Sequence, residues 1–274
     1  MTTDVRHRIT VVRYGTRTGH RHQMFLNDHL SSVPDAEIDM DYFFWVVDGP
    51  AGVFVVDTGF SRAGGAARGR ELLADPKDLF AAAGADPASA PTVIVTHGHY
   101  DHVGNIDAFG SSTVVMAQAE FDFWTGPLAG RAHFAHSTDA SDVAALRQAA
   151  ASGRLRTFEG RLEVAPGLTL IEVGGHTPGQ CIVLVETTEG AVLLTSDAAH
   201  YYEELEADRP FAVVADLPAM YEAFDLVNAM VADGTAAHVI AGHDPSVTHR
   251  YQRYATGEEV GVVLQIGEPA TKEG

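Results

Sequence analysis

The most constraining feature of the sequence is a short segment, HGHYDH at residues 97–102, that holds four potential metal ligands within six residues. It directly follows an apolar run. Side chains two residues apart can point the same way at the end of a strand, so His97 and His99 are expected to face one cavity. Asp101 and His102 then begin the next turn and face that cavity from the other side. The segment therefore predicts two neighbouring ligand clusters supplied by one loop.

A purely structural role for this segment would be costly. Three imidazoles and a carboxylate buried together without a cation would compete for hydrogen-bond partners, at about a few kcal/mol for each unpartnered group. A single histidine is usually a surface residue or a satisfied core residue. Three histidines and an aspartate within six residues are instead typical of a metal site.

Three later segments repeat one arrangement, in which a short apolar run ends at a residue able to bind a metal. His176 follows such a run through Gly174 and Gly175, and glycines permit tight backbone geometry. Asp197 and His243 end two further runs. Each is weak evidence alone, because an Asp after a strand is usually a cap or turn residue. Together they predict ligands that converge from several strand ends.

Segments typical of strands recur along the chain, with helix-like segments between them. Strands are expected at Ile9–Tyr14, Tyr42–Val47, Gly52–Asp57, Thr92–Thr96, Thr113–Ala117, Leu168–Val173, Cys181–Glu186, Ala191–Ser196 and His238–Ala241. Helices are expected at Ala63–Leu73, near Asp107, at Ser141–Ser152 and at Leu217–Asp233, with Asp216 as the N-cap of the last and Gly234 as its C-terminal stop. Strands from both halves of the chain favour packed sheets covered outside by helices.

No repeat, low-complexity tract or linker divides the chain, so a single domain is expected over residues 1–274. Hydrophobic residues make up 46% of it, enough for a substantial core. A helical insertion is expected near residues 119–160, beside the site. The alternative for that segment is an ordinary peripheral helix pair anchored by aromatic side chains.

The composition limits which kinds of partner and which cellular compartment are expected. The 18 basic and 37 acidic residues give a formal charge of −19, whose field repels phosphate backbones, so no nucleic-acid partner is expected. The one cysteine, Cys181, lies in an apolar strand pattern and excludes an intrachain disulfide. Met1–Thr10 is polar, unlike a signal peptide, and no apolar run reaches the ~20 residues that span a bilayer. We expect a cytoplasmic monomer or homodimer without a membrane partner.

The motifs HGHYDH, GGHTPG, TSDA and AGHD, in this order, resemble the metal motifs of the metallo-β-lactamase superfamily, over roughly residues 42–249. The resemblance implies an α/β (α+β) fold, an αββα sandwich of two mixed β-sheets flanked by helices with the site at one edge. It also implies two metal ions and their ligands: His97, His99 and His176 for one, Asp101, His102 and His243 for the other, and Asp197 between them.

A further motif, Asp57-Thr58-Gly59, resembles the family's early strand-turn motif, in which Asp57 braces the metal loop. Within the superfamily the chain is most similar to the N-acyl homoserine lactonases, the quorum-quenching enzymes. Three features support this: the overall size, the pair His243-Asp244 and the acid-rich segment after Asp197. Asp197 itself, where β-lactamases of this fold commonly carry a cysteine, points towards lactonases, thioesterases similar to glyoxalase II and related hydrolases.

The implied function is a dinuclear metal-dependent hydrolase that opens an N-acyl homoserine lactone or another small lactone with a metal-bound hydroxide. Two divalent ions are expected, Zn²⁺ first, with Mn²⁺, Fe²⁺ or Co²⁺ as alternatives. Asp101 is the candidate to carry a proton to the leaving oxygen. Lactonases of this family have a tyrosine three residues after the bridging acid, where this chain has His200, so His200 and Tyr201 are both candidate oxyanion donors.

Other functions on the same site stay open: a thioesterase similar to glyoxalase II, or another esterase or amidase for a small metabolite. A phosphodiesterase of the RNA-processing kind fits poorly with the acidic charge. Outside hydrolases, a metal-binding sensor rests on ligand count alone, and a flavin-coupled diiron reductase would need a flavin domain.

Overall fold

The computed structural model describes residues 6–268, so residues 1–5 of the polar segment Met1–Thr10 lie outside it. Its strands are β1 (Arg8–His20), β2 (Glu37–Gly49), β3 (Gly52–Val56), β4 (Glu71–Leu72), β5 (Thr92–Ile94), β6 (Val114–Ala117), β7 (Leu155–Phe158), β8 (Arg161–Ala165), β9 (Leu168–Glu172), β10 (Cys181–Thr187), β11 (Gly190–Ser196), β12 (His238–Ala241) and β13 (Gly261–Ile266). Its α-helices are α1 (Arg21–Met24), α2 (Arg62–Ala67), α3 (Pro76–Leu79), α4 (Tyr100–Val103), α5 (Gln118–Thr125), α6 (Ala132–Ala135), α7 (Ala140–Ala151), α8 (Tyr202–Ala207), α9 (Leu217–Ala232) and α10 (Val247–Arg250). Short 3₁₀ helices lie at Asp28–Leu30, Pro87–Ser89, Ile106–Phe109 and Gln252–Tyr254.

The strands form two mixed sheets. The first has the order β13-β1-β2-β3-β5-β6-β7, with β4 paired to β1, and the second has the order β12-β11-β10-β9-β8. In the first sheet β3, β5, β6 and β7 run parallel, whereas β13, β1, β2 and β3 pair antiparallel. In the second, β11 and β12 are parallel and the other pairs are antiparallel.

Strand β2 shows why the sheets form a layered sandwich. Phe43 and Trp45 pack between the two sheets, whereas Tyr42 and Phe44 pack on the outer face with side chains from the covering helices. Side chains alternate across a strand, so a strand that is apolar on both faces needs a covering layer on each side. The outer face of the second sheet packs in the same way against α9, for example at Val227. These layers confirm the predicted αββα arrangement.

Each of the nine segments expected as strands contains a strand, but one expected helix is wrong in part. The helix predicted over Ala63–Leu73 ends at Ala67, and Glu71–Leu72 pairs with β1 instead. Gly69, at φ +64°, takes a left-handed conformation that ends the helical path and suits glycine. Helix α9 is capped by Asp216 as expected, since the Asp216 side chain accepts from the Ala219 amide.

The segment near residues 119–160 contains α5, α6 and α7, followed by β7, which joins the first sheet. The predicted helices are therefore present, together with an edge strand that the sequence pattern did not indicate. Whether residues 1–274 form a single domain stays a prediction. Cys181 is buried between the sheets as expected. Across residues 6–268, no helix combines the length and apolar character that crossing a bilayer requires.

The fold collects the carboxyl ends of several strands at one edge. Parallel neighbours β3 and β5 end there, as do parallel neighbours β11 and β12. Strand β9 runs in the direction of β11, because both are antiparallel to β10. A hydrogen bond of 3.0 Å from the Cys181 amide to the Thr96 carbonyl joins the two sheets at this edge. Loops that leave these strands therefore meet in one place.

Candidate metal centre

The structure brings together all seven side chains predicted as metal ligands. They come from four loops at the common sheet edge, and every one of them is buried. The ligand atoms within each of two clusters lie within 4.8 Å of one another. The first cluster consists of His97, His99, His176 and Asp197, and the second of Asp101, His102 and His243.

The Asp197 carboxylate lies between the two clusters. Its Oδ1 is 3.2 Å from His102 Nε2 and 3.0 Å from His243 Nε2. Its Oδ2 is 3.3 Å from His176 Nε2 and 3.6 Å from His97 Nε2. One oxygen thus faces each cluster, which is the geometry that a bridging carboxylate needs.

Hydrogen bonds from outside the centre orient three of the rings. His102 Nδ1 lies 2.7 Å from Asp57 Oδ2, His176 Nδ1 lies 2.8 Å from the Val213 carbonyl, and His243 Nδ1 lies 2.7 Å from the Asp41 carbonyl. Each of these oxygens accepts a hydrogen bond from Nδ1–H, which leaves the Nε2 lone pair directed inwards. This is the usual arrangement around histidines that bind a metal.

The buried nitrogens of the centre fit a pair of cations. The Nε2 atoms of His97 and His102 have no hydrogen-bond partner among the described residues, although both rings lie near the Asp197 carboxylate. Leaving such groups unpartnered would cost about 1–3 kcal/mol each. A metal ion would take up these lone pairs, so the donor set fits the group that the sequence motifs imply.

The electrostatics of the centre favour the metal-binding forms of His97, His99, His176 and Asp197, but not that of His102. Burial lowers the pKa of His97, His99 and His176, that of His176 to about 3, so the rings are neutral. Burial raises the pKa of Asp197, but the surrounding imidazoles outweigh it and hold the pKa well below its usual range. For His102, burial lowers the pKa, but nearby carboxylates, Asp197 first, outweigh it and raise the pKa well above its usual range, so this ring would release a proton when a metal binds. Neutral imidazoles around an ionised carboxylate are what a divalent cation requires.

Asp57 holds the loop of residues 96–102 through hydrogen bonds, as the resemblance implies. Its carboxylate accepts from the Thr96 amide at 2.9 Å, from the Thr96 hydroxyl at 2.7 Å and from His102 Nδ1. Asp57 itself has φ +62°, a strained conformation for a residue with a Cβ. Such strain persists where the surrounding contacts determine the backbone, so this turn is fixed by its hydrogen bonds.

A second buried carboxylate, Glu120 on α5, was missed in the sequence analysis. Its Oε1 accepts from the Gly98 amide at 2.7 Å and from Trp124 Nε1, and its Oε2 accepts from the Gly179 amide at 2.8 Å. Burial raises its pKa, and these bonds act against that rise. Glu120 therefore joins the loop of His97 and His99 to the loop that follows His176. In the sequence Glu120 is only an acid in an aromatic-rich helix segment. Its position has no spacing relative to the candidate ligands that would indicate this role.

The two residues proposed as oxyanion donors lie in different environments. His200 is buried in the wall of the cavity beside the centre, where its ring stacks on Phe211 at 3.7 Å between centroids. The Tyr201 hydroxyl instead donates to the Asp39 carbonyl at 3.1 Å. Burial lowers the pKa of His200, but Asp197 and Glu204 outweigh it and raise the pKa to about 9. The structure thus brings His200 to the site and turns the Tyr201 hydroxyl away.

A cavity of about 250 Å³ opens onto the centre. His99, Asp101, His176, Asp197 and His200 form its inner wall. The remaining wall includes side chains that the sequence analysis did not identify: Arg17, Met40, Tyr42, Arg68, Arg70, Tyr100 and Phe211. Tyr100 lies inside the HGHYDH motif and begins α4. The others come from β1, β2 and several loops, so no spacing in the sequence links them to the ligands.

Replacing Glu120 with Gln keeps the volume of the side chain but turns an NH₂ group towards the Gly98 or Gly179 amide. We expect metal affinity to fall about 10–100-fold, the usual effect of losing a group that orients metal ligands. Competition with a chelator measures the affinity, and Glu222→Gln, on the exposed face of α9, is the matched control. Equal affinities in both variants and the wild type would show that the loops keep their shape without the carboxylate.

Comparisons with known proteins agree with this geometry. Residues 41–243 match the family model of the metallo-β-lactamase superfamily. An N-acyl homoserine lactonase from a Bacillus species is 32% identical over 130 residues, which cover 47% of this chain and 46% of the relative. The N-acyl homoserine lactonase AttM from Rhizobium johnstonii is 28% identical over 181 residues, which cover 64% of this chain and 66% of the relative. The chain thus spans about half the length of the first of these relatives.

Solved structures share the fold. A quorum-quenching N-acyl homoserine lactone lactonase superposes with a TM-score of 0.74 at 20% identity, covering 90% of this chain and 95% of its own. AidC, a dizinc quorum-quenching lactonase bound to its product, superposes with a TM-score of 0.68 at 16% identity, covering 87% and 88%. The matched motifs, the layered sheets and the converged ligand loops lead to one conclusion: this chain belongs to the metallo-β-lactamase superfamily.

Proposed function

We propose that the protein is a dinuclear metal-dependent hydrolase that opens a small lactone, either an N-acyl homoserine lactone or a related ring. The observation that carries the dinuclear proposal is the Asp197 carboxylate, which turns one oxygen towards each ligand cluster. The lactone is supported by the curated relatives, which are N-acyl homoserine lactonases.

The ligand set suits Zn²⁺, because imidazole and carboxylate donors are its common ligands, and Mn²⁺, Fe²⁺ or Co²⁺ accept similar sets. His97, His99 and His176 would hold one ion, Asp101, His102 and His243 the other, and Asp197 both. When bound, the two ions would lower the pKa of a water molecule and polarise the ester carbonyl.

Asp101 is placed to handle the proton that the leaving oxygen needs. Its Oδ2 lies 3.9 Å from both His102 Nε2 and His243 Nε2, and its side chain also reaches the cavity wall. The Tyr14 hydroxyl donates to the Asp101 carbonyl at 3.0 Å, which fixes the backbone at this point. In our proposal Asp101 takes a proton from the attacking water as its hydroxide adds to the carbonyl carbon. The ring C–O bond then breaks, and Asp101 returns that proton to the released alkoxide.

His200 is the proposed donor to the oxyanion. Its Nε2 lies 3.0 Å from Asp197 Oδ2, and stacking on Phe211 restricts the ring to this orientation. A carbonyl bound at the centre would therefore meet the imidazole at the cavity wall. Donors held in place before the reaction stabilise charge that develops in the transition state without reorganising.

Variants of the two neighbouring residues test this assignment. We expect His200→Ala to lower kcat by ~10²–10³, the effect of removing one oxyanion donor. We expect Tyr201→Phe to leave kcat nearly unchanged, because its hydroxyl is bonded to Asp39 outside the cavity. Bound metal is measured in both variants, so that a loss of ions is not read as a loss of catalysis. A large effect of Tyr201→Phe with full metal content would contradict the assignment.

The proposed substrate class is tested by rates of the metal-loaded protein on a lactone panel, a thioester, a β-lactam and an aryl phosphodiester. We expect lactones to have a kcat/KM about tenfold or more above the others, a difference of about 1.4 kcal/mol in transition-state binding. Asp197→Asn, which removes a charge from the centre, controls for contaminating hydrolases. A preference for the thioester would replace the lactonase proposal by a thioesterase.

A further inference from the structure

Three arginines line the cavity of this acidic chain, together with the acids Asp101 and Asp197. The sequence has 18 basic and 37 acidic residues, yet Arg17, Arg68 and Arg70 all line the cavity of about 250 Å³ that opens onto the ligand clusters. Fields inside a cleft are focused by its low-dielectric walls, so three guanidinium groups there attract anions.

Arg68 has its own partners. One of its Nη atoms lies 2.9 Å from Asp139 Oδ1, and its guanidinium stacks over the Tyr100 ring at 4.0 Å. This side chain is therefore held as part of the wall, and its charge is balanced by Asp139.

Arg17 and Arg70 have no such balance. Arg17 donates from Nε to Met40 Sδ at 3.2 Å and from Nη2 to Met24 Sδ at 2.9 Å, and thioether sulfurs are weak acceptors without charge. Arg70 donates from Nε to the Tyr100 hydroxyl at 3.0 Å. Within residues 6–268 neither guanidinium forms an ion pair with a carboxylate. Both are half-buried and line the cavity, and each has guanidinium donors that make no hydrogen bond within residues 6–268.

The two charges lie on the wall of one cavity, together with Tyr42. Arg17 belongs to β1 and Arg70 follows α2, so the fold brings them there from separate segments. Two guanidiniums without ion pairs on one cavity wall are a candidate site for a single anionic group.

We propose that the preferred substrate carries an anionic group besides its lactone, and that Arg17 and Arg70 bind this group while the ester lies at the metal centre. The inference rests on the proposed function for the position of the ester. A carboxylate is the simplest such group, because a guanidinium binds it through paired, charge-assisted hydrogen bonds. The cavity volume lies below the ~300–1,000 Å³ of sites for drug-sized ligands, which favours a small ring over one with a long acyl chain.

The test compares matched lactones with the zinc-loaded protein and its variants. The substrates are γ-butyrolactones that carry a carboxylate, a carboxamide or a phosphonate on the γ carbon. Calorimetry with tetrahydrofuran carboxylate, which has no ester to cleave, reports binding separately from catalysis. The variants are Arg17→Gln and Arg70→Gln, with Arg62→Gln as the control, since Arg62 is an exposed residue outside the cavity.

We expect kcat/KM for the carboxylate to exceed that for the carboxamide about tenfold or more, mainly through KM, because hydrogen bonds to charged groups are among the stronger polar contacts. Arg17→Gln and Arg70→Gln should each reduce this ratio and weaken binding of tetrahydrofuran carboxylate to a similar degree. Arg62→Gln should change neither. A higher rate with the phosphonate than with the carboxylate would identify a phosphate-like group as the preferred anion and would also support the inference.

Equal rates on carboxylate and carboxamide, or an unchanged preference in both variants, would overturn the inference and leave the lactonase proposal intact. If no lactone is opened but tetrahydrofuran carboxylate binds in a way that requires Arg17 and Arg70, the lactonase proposal fails and the anion site stands. If that compound binds the wild type and both variants equally, the anion site is excluded.

Discussion

A carboxylate buried among imidazoles is the constraint on which the rest of the structure depends. Asp197 lies within hydrogen-bonding range of rings that arrive on separate loops, and an ionised group in such a place is costly unless it is paired. The parallel strands at the shared edge deliver those loops, and Asp57 and Glu120 hold them from beneath. The position of the Asp197 carboxylate among the imidazoles thus depends on both sheets, on helix α5 and on the two supporting acids.

The clustering of the seven candidate ligands could be predicted because their signal is local. HGHYDH places several donors in one turn, and each later ligand follows an apolar run that is itself recognisable as a strand. The fold followed from the same runs, since strands apolar on both faces require covering layers, as Phe43 and Phe44 show. Strand β7 escaped prediction because it is short and carries a charged residue, Arg156. The end of α2 was missed because it depends on the conformation of Gly69.

The supporting and wall residues could not be predicted, because their roles exist only through distant contacts. Glu120 binds the backbone of two loops, and nothing in its neighbourhood in the sequence identifies those amides. Arg17 and Arg70 belong to separate segments that meet only around the cavity. In the proposed function, local motifs would supply the metal site and non-local wall residues would determine which substrate reaches it.

The number of metal ions per chain tests the central claim most directly. Elemental analysis of the native protein, saturated with Zn²⁺ and freed of unbound metal, should give two ions per chain. His97→Ala should lose at least one of them, because it removes a ligand from the first cluster and leaves the second unchanged. A fully saturated native protein that retains one ion or none would contradict the assignment of Asp197 as a bridge between two metals.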